Sequence, residues 1–182
     1  TAARAGPIIA RMVRTLRRWS LWLVLLSSCA AVAPADAYSA LPMATRILVE
    51  KSDRRLTLFD NDRVLRRYRV ALGVEPVGPK QVEGDQRTPE GRYRIVARNP
   101  RSDFFLSLLV SYPDVRDSER ARRLGAKPGG AIMIHGLPNQ PRQSPEYYAK
   151  TDWTDGCIAL ANEDVGALYD VVRVGTPVHI AP

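Results

Sequence analysis

One cysteine in the last third of the chain, Cys157, follows a glycine in a short polar turn. The turn has the sequence Thr154-Asp155-Gly156-Cys157-Ile158. A thiolate is a strong nucleophile, and backbone N–H groups beside it can stabilise an oxyanion. Gly156 would let the backbone approach a substrate closely, because glycine has no Cβ. The turn therefore indicates a covalent catalytic site, and the cysteine count alone leaves open the alternative of an inert buried thiol.

His135 is the candidate base for this thiol. A thiol with an ordinary pKa of about 8.5 is only a few per cent thiolate at pH 7, so an imidazole that takes its proton raises its reactivity. His135 ends the apolar run 131–135 and is followed by a glycine and a loop, whereas the other histidine, His179, lies in the last predicted strand. We therefore expect His135 to act as the base and then as the acid.

A third segment, residues 88–93, is by itself a Pro-Glu-Gly turn that enters a strand. Its sequence is Thr88-Pro89-Glu90-Gly91-Arg92-Tyr93. Together and in this order, the three segments resemble the L,D-transpeptidase catalytic domain family, often called the YkuD family. The family patterns are T-P-x-G-x-[FY], an apolar strand ending in His-Gly, and [ST]-x-G-C with an aliphatic residue after it. They match residues 88–93, 131–136 and 154–158, and the resemblance covers about residues 45–181.

The resemblance implies a role for each of these residues. Cys157 would attack the carbonyl between the third and fourth residues of a peptidoglycan stem peptide, releasing the terminal D-alanine. The main-chain carbonyl of Gly136 would orient His135, and the N–H groups of Gly156 and Cys157 would stabilise the oxyanion. The thioester would then pass to an amine, giving a cross-link or an attached protein, or to water. This chemistry needs no cofactor.

Two positions depart from the common family form. Asp155 stands where histidine is usual, and Ala159 stands where arginine or asparagine is usual. A carboxylate beside the thiol disfavours the thiolate unless the base is protonated. A branch of the family with Thr-Asp-Gly-Cys resembles this chain more closely, and it matches His135-Gly136-Leu137-Pro138-Asn139 and Asp152-Trp153. On that resemblance, the expected substrate contacts are Thr154, Asp155, Asn139 and Trp153.

Three functions stay open at this stage. The first is an exported cysteine transpeptidase that acts on peptidoglycan stem peptides. The second is a hydrolase on the same scaffold, an L,D-carboxypeptidase or endopeptidase, which Asp155 and Ala159 favour. The third is a non-catalytic wall-binding module, in which Cys157 would be unreactive.

Hydrophobic periodicity predicts the elements that must position these side chains. The hydrophobic fraction of 45% and the charged fraction of 25% are typical of a globular domain. The predicted strands are 47–49, 56–59, 64–72, 92–96, 106–111, 131–135 and 177–180, of which the first three form an antiparallel meander. One helix is predicted at 115–124, and a second begins at an Asn162 cap. The apolar face of the second helix is Val165, Leu168, Tyr169 and Val172.

These elements predict a mainly β fold. With the resemblance, the expected architecture is an L,D-transpeptidase-like β-sandwich or partly open barrel with two or three short helices. Residues 73–91 and 136–153 are predicted loops, because they are rich in glycine, proline and polar residues.

The first 37 residues are typical of an export signal. Arg14, Arg17 and Arg18 precede the apolar run 19–26, and Ala35-Asp36-Ala37 is typical of a cleavage site. Eight apolar residues are too few to span a bilayer, which takes about 20. The run Leu26-Ser27-Ser28-Cys29 also resembles a lipobox, in which Cys29 would carry lipid. We predict a signal segment at 1–37, a tether at 38–45 and a catalytic domain at 46–182, located in the periplasm or cell envelope.

The net charge of +8 gives little reason to expect nucleic acid. Five arginines and one aspartate lie in residues 1–37, which leaves 22 basic against 18 acidic residues, a net charge of +4. The basic cluster Arg120, Arg122, Arg123 and Lys127 lacks interleaved aromatic residues and is typical of a solvated helix face. One cysteine and one strand-end histidine lack the spacing of a zinc site, so no metal is expected. The expected partners are stem peptides, with membrane contact only through the signal segment or a lipid on Cys29.

Overall fold

A computed structural model describes residues 42–182, and most of them belong to one sheet. Its strands are β1 (Arg46–Glu50), β2 (Arg55–Asp60), β3 (Arg63–Arg69), β4 (Gly91–Ser102), β5 (Phe105–Val110), β6 (Met133–His135), β7 (Ile158–Ala159) and β8 (Pro177–Ala181). In β1 the buried Ile47 and Val49 alternate with partly exposed neighbours, which is the period of a strand with one face in the core. The predicted signal segment 1–37, with Cys29, and residues 38–41 of the predicted tether lie outside the described residues.

The sheet has the strand order β3-β2-β1-β8-β4-β5-β6-β7 and curls into a half-barrel. Strands β1 to β3 form the predicted antiparallel meander, and β8 joins β1 in parallel. The longest strand, β4, pairs with β8 through residues 91–94 and with β5 from Ile95 onward, with irregular register after Ile95. Irregularities of this kind bend a strand, so β4 carries the sheet from one half to the other.

Within residues 42–182 three helices complete the fold: α1 (Val115–Arg123), α2 (Pro145–Lys150) and α3 (Asn162–Val171). None of these helices is long and apolar enough to cross a membrane. Helix α3 buries Val165 and Leu168 against the sheet's core, which confirms its predicted apolar face. Each aliphatic side chain buried in this way contributes about 1.5–3 kcal/mol. With eight strands and three short helices in the described residues, the predicted mainly β class is confirmed.

Several predicted details are wrong. The predicted loop 136–153 contains α2, which Ser144 caps by accepting the N–H of Tyr147 at 3.3 Å. Asn162 is not a cap, because α3 begins at that residue and its side chain bonds elsewhere. The third strand ends at Arg69 rather than at residue 72, since the chain leaves the meander and Ala71 pairs with Ala159 instead. The strand predicted at 131–135 begins only at Met133.

Candidate active site

The Cys157 thiol lies beside β6, just before β7 begins. Its Sγ accepts the backbone N–H of Met133 at 3.4 Å and donates to the carbonyl of Ala131 at 3.6 Å. Ile134 pairs with Ile158 in parallel register, so Cys157 immediately precedes this pair and His135 immediately follows it. Because side chains alternate along a strand, the thiol and the imidazole extend from the same face of the sheet.

The imidazole of His135 is 2% exposed and is fixed by a backbone carbonyl. Its Nδ1 lies 2.7 Å from the carbonyl oxygen of Gly136, and Nδ1 must donate because a carbonyl can only accept. The neutral ring therefore carries its lone pair on Nε2. Phe104 and Trp153 pack against the ring at centroid distances of 4.5 and 5.7 Å and limit its rotation. The contact between His135 and Gly136 is the one that the resemblance implies.

The thiol and the imidazole are neighbours without a direct bond. Among residues 42–182 no hydrogen bond joins Cys157 to His135, because the thiol donates to Ala131 instead. Catalytic hydrogen bonds are often long in unliganded sites and tighten when substrate binds. The structure thus places a thiol immediately before β7 and an oriented imidazole at the end of the adjoining strand β6.

The electrostatics of the site favour neutral groups. Burial raises the pKa of the Cys157 thiol and the nearby Asp155 carboxylate raises it further, whereas the Met133 N–H and the Lys80 charge lower it. Burial lowers the pKa of His135, and the bond to the Gly136 carbonyl only opposes this change. The resting pair is therefore a thiol and a neutral imidazole, rather than a thiolate–imidazolium ion pair.

Thr154, expected as a substrate contact, is a structural residue of the turn. Its hydroxyl donates to the carbonyl of Cys157 at 2.7 Å and accepts the N–H of Gly156 at 3.1 Å. The side chain is 4% exposed, so substrate has little access to it. In this structure Thr154 shapes the turn that carries the thiol, and its contact with substrate stays a prediction.

Gly156 also has a different role from the one expected. Its N–H is already bonded to the Thr154 hydroxyl, so it is not a free oxyanion donor. Within the described residues the backbone N–H of Cys157 makes no hydrogen bond. Of the two N–H groups expected to stabilise the oxyanion, it is therefore the one still available. A Cβ at Gly156 would lie 2.5 Å from the carbonyl oxygen of Arg87, and its φ is +123°. Glycine is therefore required for close contact with this chain's own loop rather than with a substrate.

Asn139, a second expected substrate contact, ties its own loop to the turn between β4 and β5. Its Nδ2 donates to the carbonyl of Ser102 and its Oδ1 accepts the N–H of Phe105, both at 2.9 Å. This turn carries Phe104, which packs on the imidazole. Both ends of the Asn139 amide are in use, so the residue supports His135 indirectly, and its contact with substrate stays a prediction.

The other two expected substrate residues, Asp155 and Trp153, line separate cavities. Asp155 is exposed and faces a cavity of about 390 Å³, and its Oδ1 accepts the Gln86 side chain at 3.3 Å. Trp153 packs edge-on against Tyr148 at a centroid distance of 5.0 Å and lines a smaller cavity of about 100 Å³. Of the four expected contacts, Asp155 is the one that faces open space beside the thiol turn.

Lys51 is an important residue that the sequence analysis missed. The lysine is 2% exposed, and its Nζ donates to the carbonyls of Gly78 and Thr88 at 2.6 and 3.0 Å and to Glu90 Oε1 at 2.7 Å. Thr88 in turn accepts the N–H of Gly73 at 3.1 Å through its hydroxyl. Lys51 therefore holds the loop whose Arg87 carbonyl supports the thiol turn. A lysine in a polar turn gives no sequence signal for such burial.

The neighbouring Arg54 binds Asp152, in the segment that leads into the thiol turn. It forms a two-pronged contact with Asp152, with Nε 2.9 Å and Nη2 2.7 Å from Oδ2. Oδ1 of Asp152 also accepts the N–H of Leu72 at 2.9 Å. The turn between β1 and β2 thus anchors both chain segments that lead into the site.

No group of three or more histidine, cysteine, aspartate or glutamate side chains within residues 42–182 is arranged to hold a metal ion. The groups that the described site offers for chemistry are a thiol, an oriented imidazole and a backbone N–H that makes no hydrogen bond.

The comparisons with known proteins agree with this arrangement. Residues 44–180 match the family model described as the L,D-transpeptidase catalytic domain. The protein YafK of Escherichia coli (strain K12), to which the name L,D-transpeptidase is assigned provisionally, is 26% identical over 158 residues. The match covers 81% of this chain and 56% of YafK, so the chain spans about half the length of this relative.

Solved structures share the fold. The helical cell shape determining protein Pgp2 of Campylobacter jejuni superposes with a TM-score of 0.58 and 27% identity, over 75% of this chain and 47% of Pgp2. An L,D-transpeptidase from Mycobacterium smegmatis superposes with a TM-score of 0.50 and 17% identity, over 76% of this chain and 59% of that protein, which shows the fold alone. Because the family model matches most of the chain, the chain belongs to the L,D-transpeptidase catalytic domain family.

Proposed function

We propose that the protein is an exported cysteine L,D-transpeptidase that acts on peptidoglycan stem peptides in the periplasm or cell envelope. The observation that carries the proposal is the bond between His135 Nδ1 and the Gly136 carbonyl, which leaves Nε2 as a base beside the Cys157 thiol. The family membership supports the same reaction class.

In the first half-reaction the thiol leaves the Ala131 carbonyl and transfers its proton to Nε2 of His135. The sulfur then attacks the carbonyl carbon that precedes the terminal D-alanine of a stem tetrapeptide. The C–N bond breaks, the imidazolium returns the proton to the leaving amine, and a thioester remains on Cys157. Burial keeps His135 neutral before attack, which is the form that accepts a proton.

The tetrahedral intermediate carries a negative oxygen that needs a donor. The N–H of Cys157 has no partner in the described part of the chain, and it lies on the residue that forms the new bond. A backbone donor held rigidly in this way stabilises an oxyanion without reorganisation. The turn is rigid because the Thr154 hydroxyl bonds both ends of it.

In the second half-reaction an amine attacks the thioester, forms an amide and releases the thiol. An acceptor amine would approach past Asp155, the exposed carboxylate that follows Thr154. A carboxylate attracts a cationic amine, so it is compatible with an amine acceptor as well as with water. The name of Pgp2 gives that protein a part in helical cell shape, which supports cell-wall remodelling as the process.

The departure at Ala159 does not favour a hydrolase. Ala159 is 2% exposed and pairs with Ala71 in the sheet, so its side chain cannot contact a substrate. Hydrolysis by the same site is therefore kept as an outcome of the experiment rather than as a separate proposal.

The test is incubation with a disaccharide tetrapeptide and analysis of the products by mass spectrometry. The proposal predicts a cross-linked dimer and released D-alanine, both absent with Cys157→Ala and with His135→Gln. His179→Gln is the matched control, since it removes the other histidine from the outer face of β8 and should keep turnover. Tripeptide without dimer at high acceptor concentration would instead identify a carboxypeptidase. Full turnover by Cys157→Ala would exclude the cysteine mechanism.

A further inference from the structure

A groove of about 520 Å³ lies on the outward face of β1, β8 and β4. It shares no lining residue with the Cys157 site. Its charged lining residues are Arg46, Arg92 and Arg94, and its other titratable lining residues are Tyr93 and His179.

The register explains why these side chains converge. Arg92 lies directly opposite His179, and Arg94 lies opposite Pro177 on the same strand β8. Their alternate neighbours, Tyr93 and Val178, are buried in the core, so the charged side chains face outward. Neighbouring strands are only about 4.8 Å apart, so these long side chains share one surface.

The positive charge of this surface has no carboxylate partner. Within residues 42–182 none of Arg46, Arg92 and Arg94 forms an ion pair, whereas Arg55 on β2 is paired with both Glu50 and Asp53. The guanidinium carbon of Arg46 lies 3.4 Å from the centroid of the Phe59 ring, a contact that holds the charge in place without neutralising it. Arg92 and Arg94 lie two residues apart on β4, so the groove concentrates positive charge to which an anion can bind.

We propose that this groove binds the phosphate groups of a linear anionic polymer that carries neither bases nor lipid chains. Guanidinium groups bind phosphate with paired hydrogen bonds, which suits Arg92 and Arg94 on one strand. Tyr93, the aromatic residue of the lining, is 4% exposed and cannot stack on a nucleic-acid base. Among the apolar lining residues, Ile47 and Val178 are buried, Leu48 is half-buried and Pro177 is exposed, so a single small apolar side chain is available to a lipid surface.

The test measures binding of inorganic polyphosphate of defined length to the full chain. The double variant Arg92→Gln/Arg94→Gln should weaken binding by about tenfold or more, since removing one charge-assisted hydrogen bond costs about that factor. The matched control is Arg122→Gln/Arg123→Gln on α1, which removes the same charge from exposed positions outside the groove. It should change affinity by less than about twofold, with the remaining decrease due to long-range electrostatics.

Alkylation of Cys157 by iodoacetamide should be unchanged in both double variants, which shows that they are folded. Equal decreases in affinity in the two variants would overturn the proposal, because general charge would then explain binding. Binding of single-stranded DNA or of anionic phosphatidylglycerol vesicles without binding of polyphosphate would overturn it as well.

A second, independent observation concerns Asn162 and rests on the proposed function. Oδ1 of Asn162 accepts the N–H of Leu137 at 2.8 Å. This N–H belongs to the same peptide unit as the Gly136 carbonyl that accepts from His135 Nδ1. The C=O and N–H of a trans peptide point in opposite directions, so one amide side chain fixes the plane that orients the imidazole.

We infer that Asn162 is a positioning residue that selects the Nδ1–H tautomer of His135. Without the acceptor at Oδ1, the peptide plane can rotate and the carbonyl no longer holds Nδ1. A Cβ at Gly136 would lie only 2.6 Å from Asn162 Oδ1, so the Asn162 amide fits here because residue 136 has no side chain. Bonds in a chain of this kind also strengthen each other.

The test reads the ring nitrogens of His135 by ¹⁵N NMR, and His179→Gln assigns the signals because the chain has two histidines. Wild type should show protonated Nδ1 and unprotonated Nε2, and Asn162→Ala should show a mixture of tautomers with an at least tenfold lower turnover at unchanged KM. Asn162→Asp keeps an acceptor and should restore the wild-type pattern. A wild-type pattern in Asn162→Ala would overturn the inference, whereas inactivity of wild type with the expected tautomers would overturn only the proposed function.

Discussion

Replacing Lys51 with methionine tests how strongly the thiol turn depends on the loop that this lysine holds. The substitution keeps most of the side-chain volume but leaves Glu90 without its partner and the carbonyls of Gly78 and Thr88 without a donor. Removing one member of a buried ion pair costs about 3–5 kcal/mol. The Glu90 side chain is 18% exposed and can regain some hydration, so we expect about 3 kcal/mol less free energy of unfolding in a urea titration.

Two matched variants make this result interpretable. Arg55→Met removes a cation near the same turn, but its side chain is 38% exposed, so the decrease in stability should be much smaller than that of Lys51→Met. The double variant Lys51→Met/Glu90→Leu removes the stranded carboxylate and should recover part of the stability.

The loss of this anchor should also lower turnover. A loosened loop withdraws the Arg87 carbonyl from Gly156, so turnover at temperatures where Lys51→Met is fully folded should fall by about tenfold. A decrease in stability no larger than that of Arg55→Met would refute the claim that Lys51 anchors the loop. Full turnover in folded Lys51→Met would refute the link between the loop and the thiol turn.

Three further predictions follow from the contacts of the site. The rate of Cys157 alkylation by iodoacetamide should still increase with pH above about 8.5, the ordinary pKa of a thiol, because burial and Asp155 raise the pKa of this one. Asp155→Asn should shift the midpoint of the rate profile to lower pH. A rate already constant by pH 6 would instead reveal a preformed thiolate–imidazolium pair. Thr154→Val should cost about 1–3 kcal/mol in urea titrations by leaving two buried backbone groups unpaired, and an unchanged stability would contradict the structural role of this hydroxyl. The lowered pKa of His135 means that the unfolded chain takes up its proton first, so stability should be complete above about pH 6.5 and fall at lower pH. His135→Gln should flatten that slope in urea titrations, and an unchanged slope would show that other groups cause it.

Periodicity was sufficient to predict the class of the fold. The alternation in β1 to β3 and the apolar face of α3 are local patterns, because each buried position lies two, three or four residues from the next. Helix α2 was missed because its six residues lie in a stretch dominated by proline and polar side chains, and β7 has only two residues.

The site was predictable only where a residue type itself carries chemistry. Cys157 and His135 could be named from their side chains and flanking glycines, but the roles of Thr154 and Asn139 could not. Both are polar residues near the thiol or the base, and only the fold shows that their hydrogen bonds are satisfied internally. Lys51 precedes its partners in the loop by 27 to 39 residues, and no local sequence pattern indicates a contact over such a separation.

The prediction of Asn162 as a helix cap was wrong for a related reason. Asparagine before an acidic first turn is typical of a cap, but here α3 starts one residue earlier than expected and the amide bonds Leu137. The Asn162 side chain accepts the N–H of Leu137, in the segment after His135, because the fold brings that segment beside the start of α3.

The central claim is that Cys157 forms a thioester with a stem peptide, and intact-mass spectrometry of the protein with a tetrapeptide donor and no acceptor tests it most directly. We predict a mass increase equal to the mass of the donor peptide minus that of free D-alanine, located on the fragment that contains Cys157 and absent from Cys157→Ala. An unmodified wild-type protein under conditions that release D-alanine, or the same adduct on Cys157→Ala, would contradict the account.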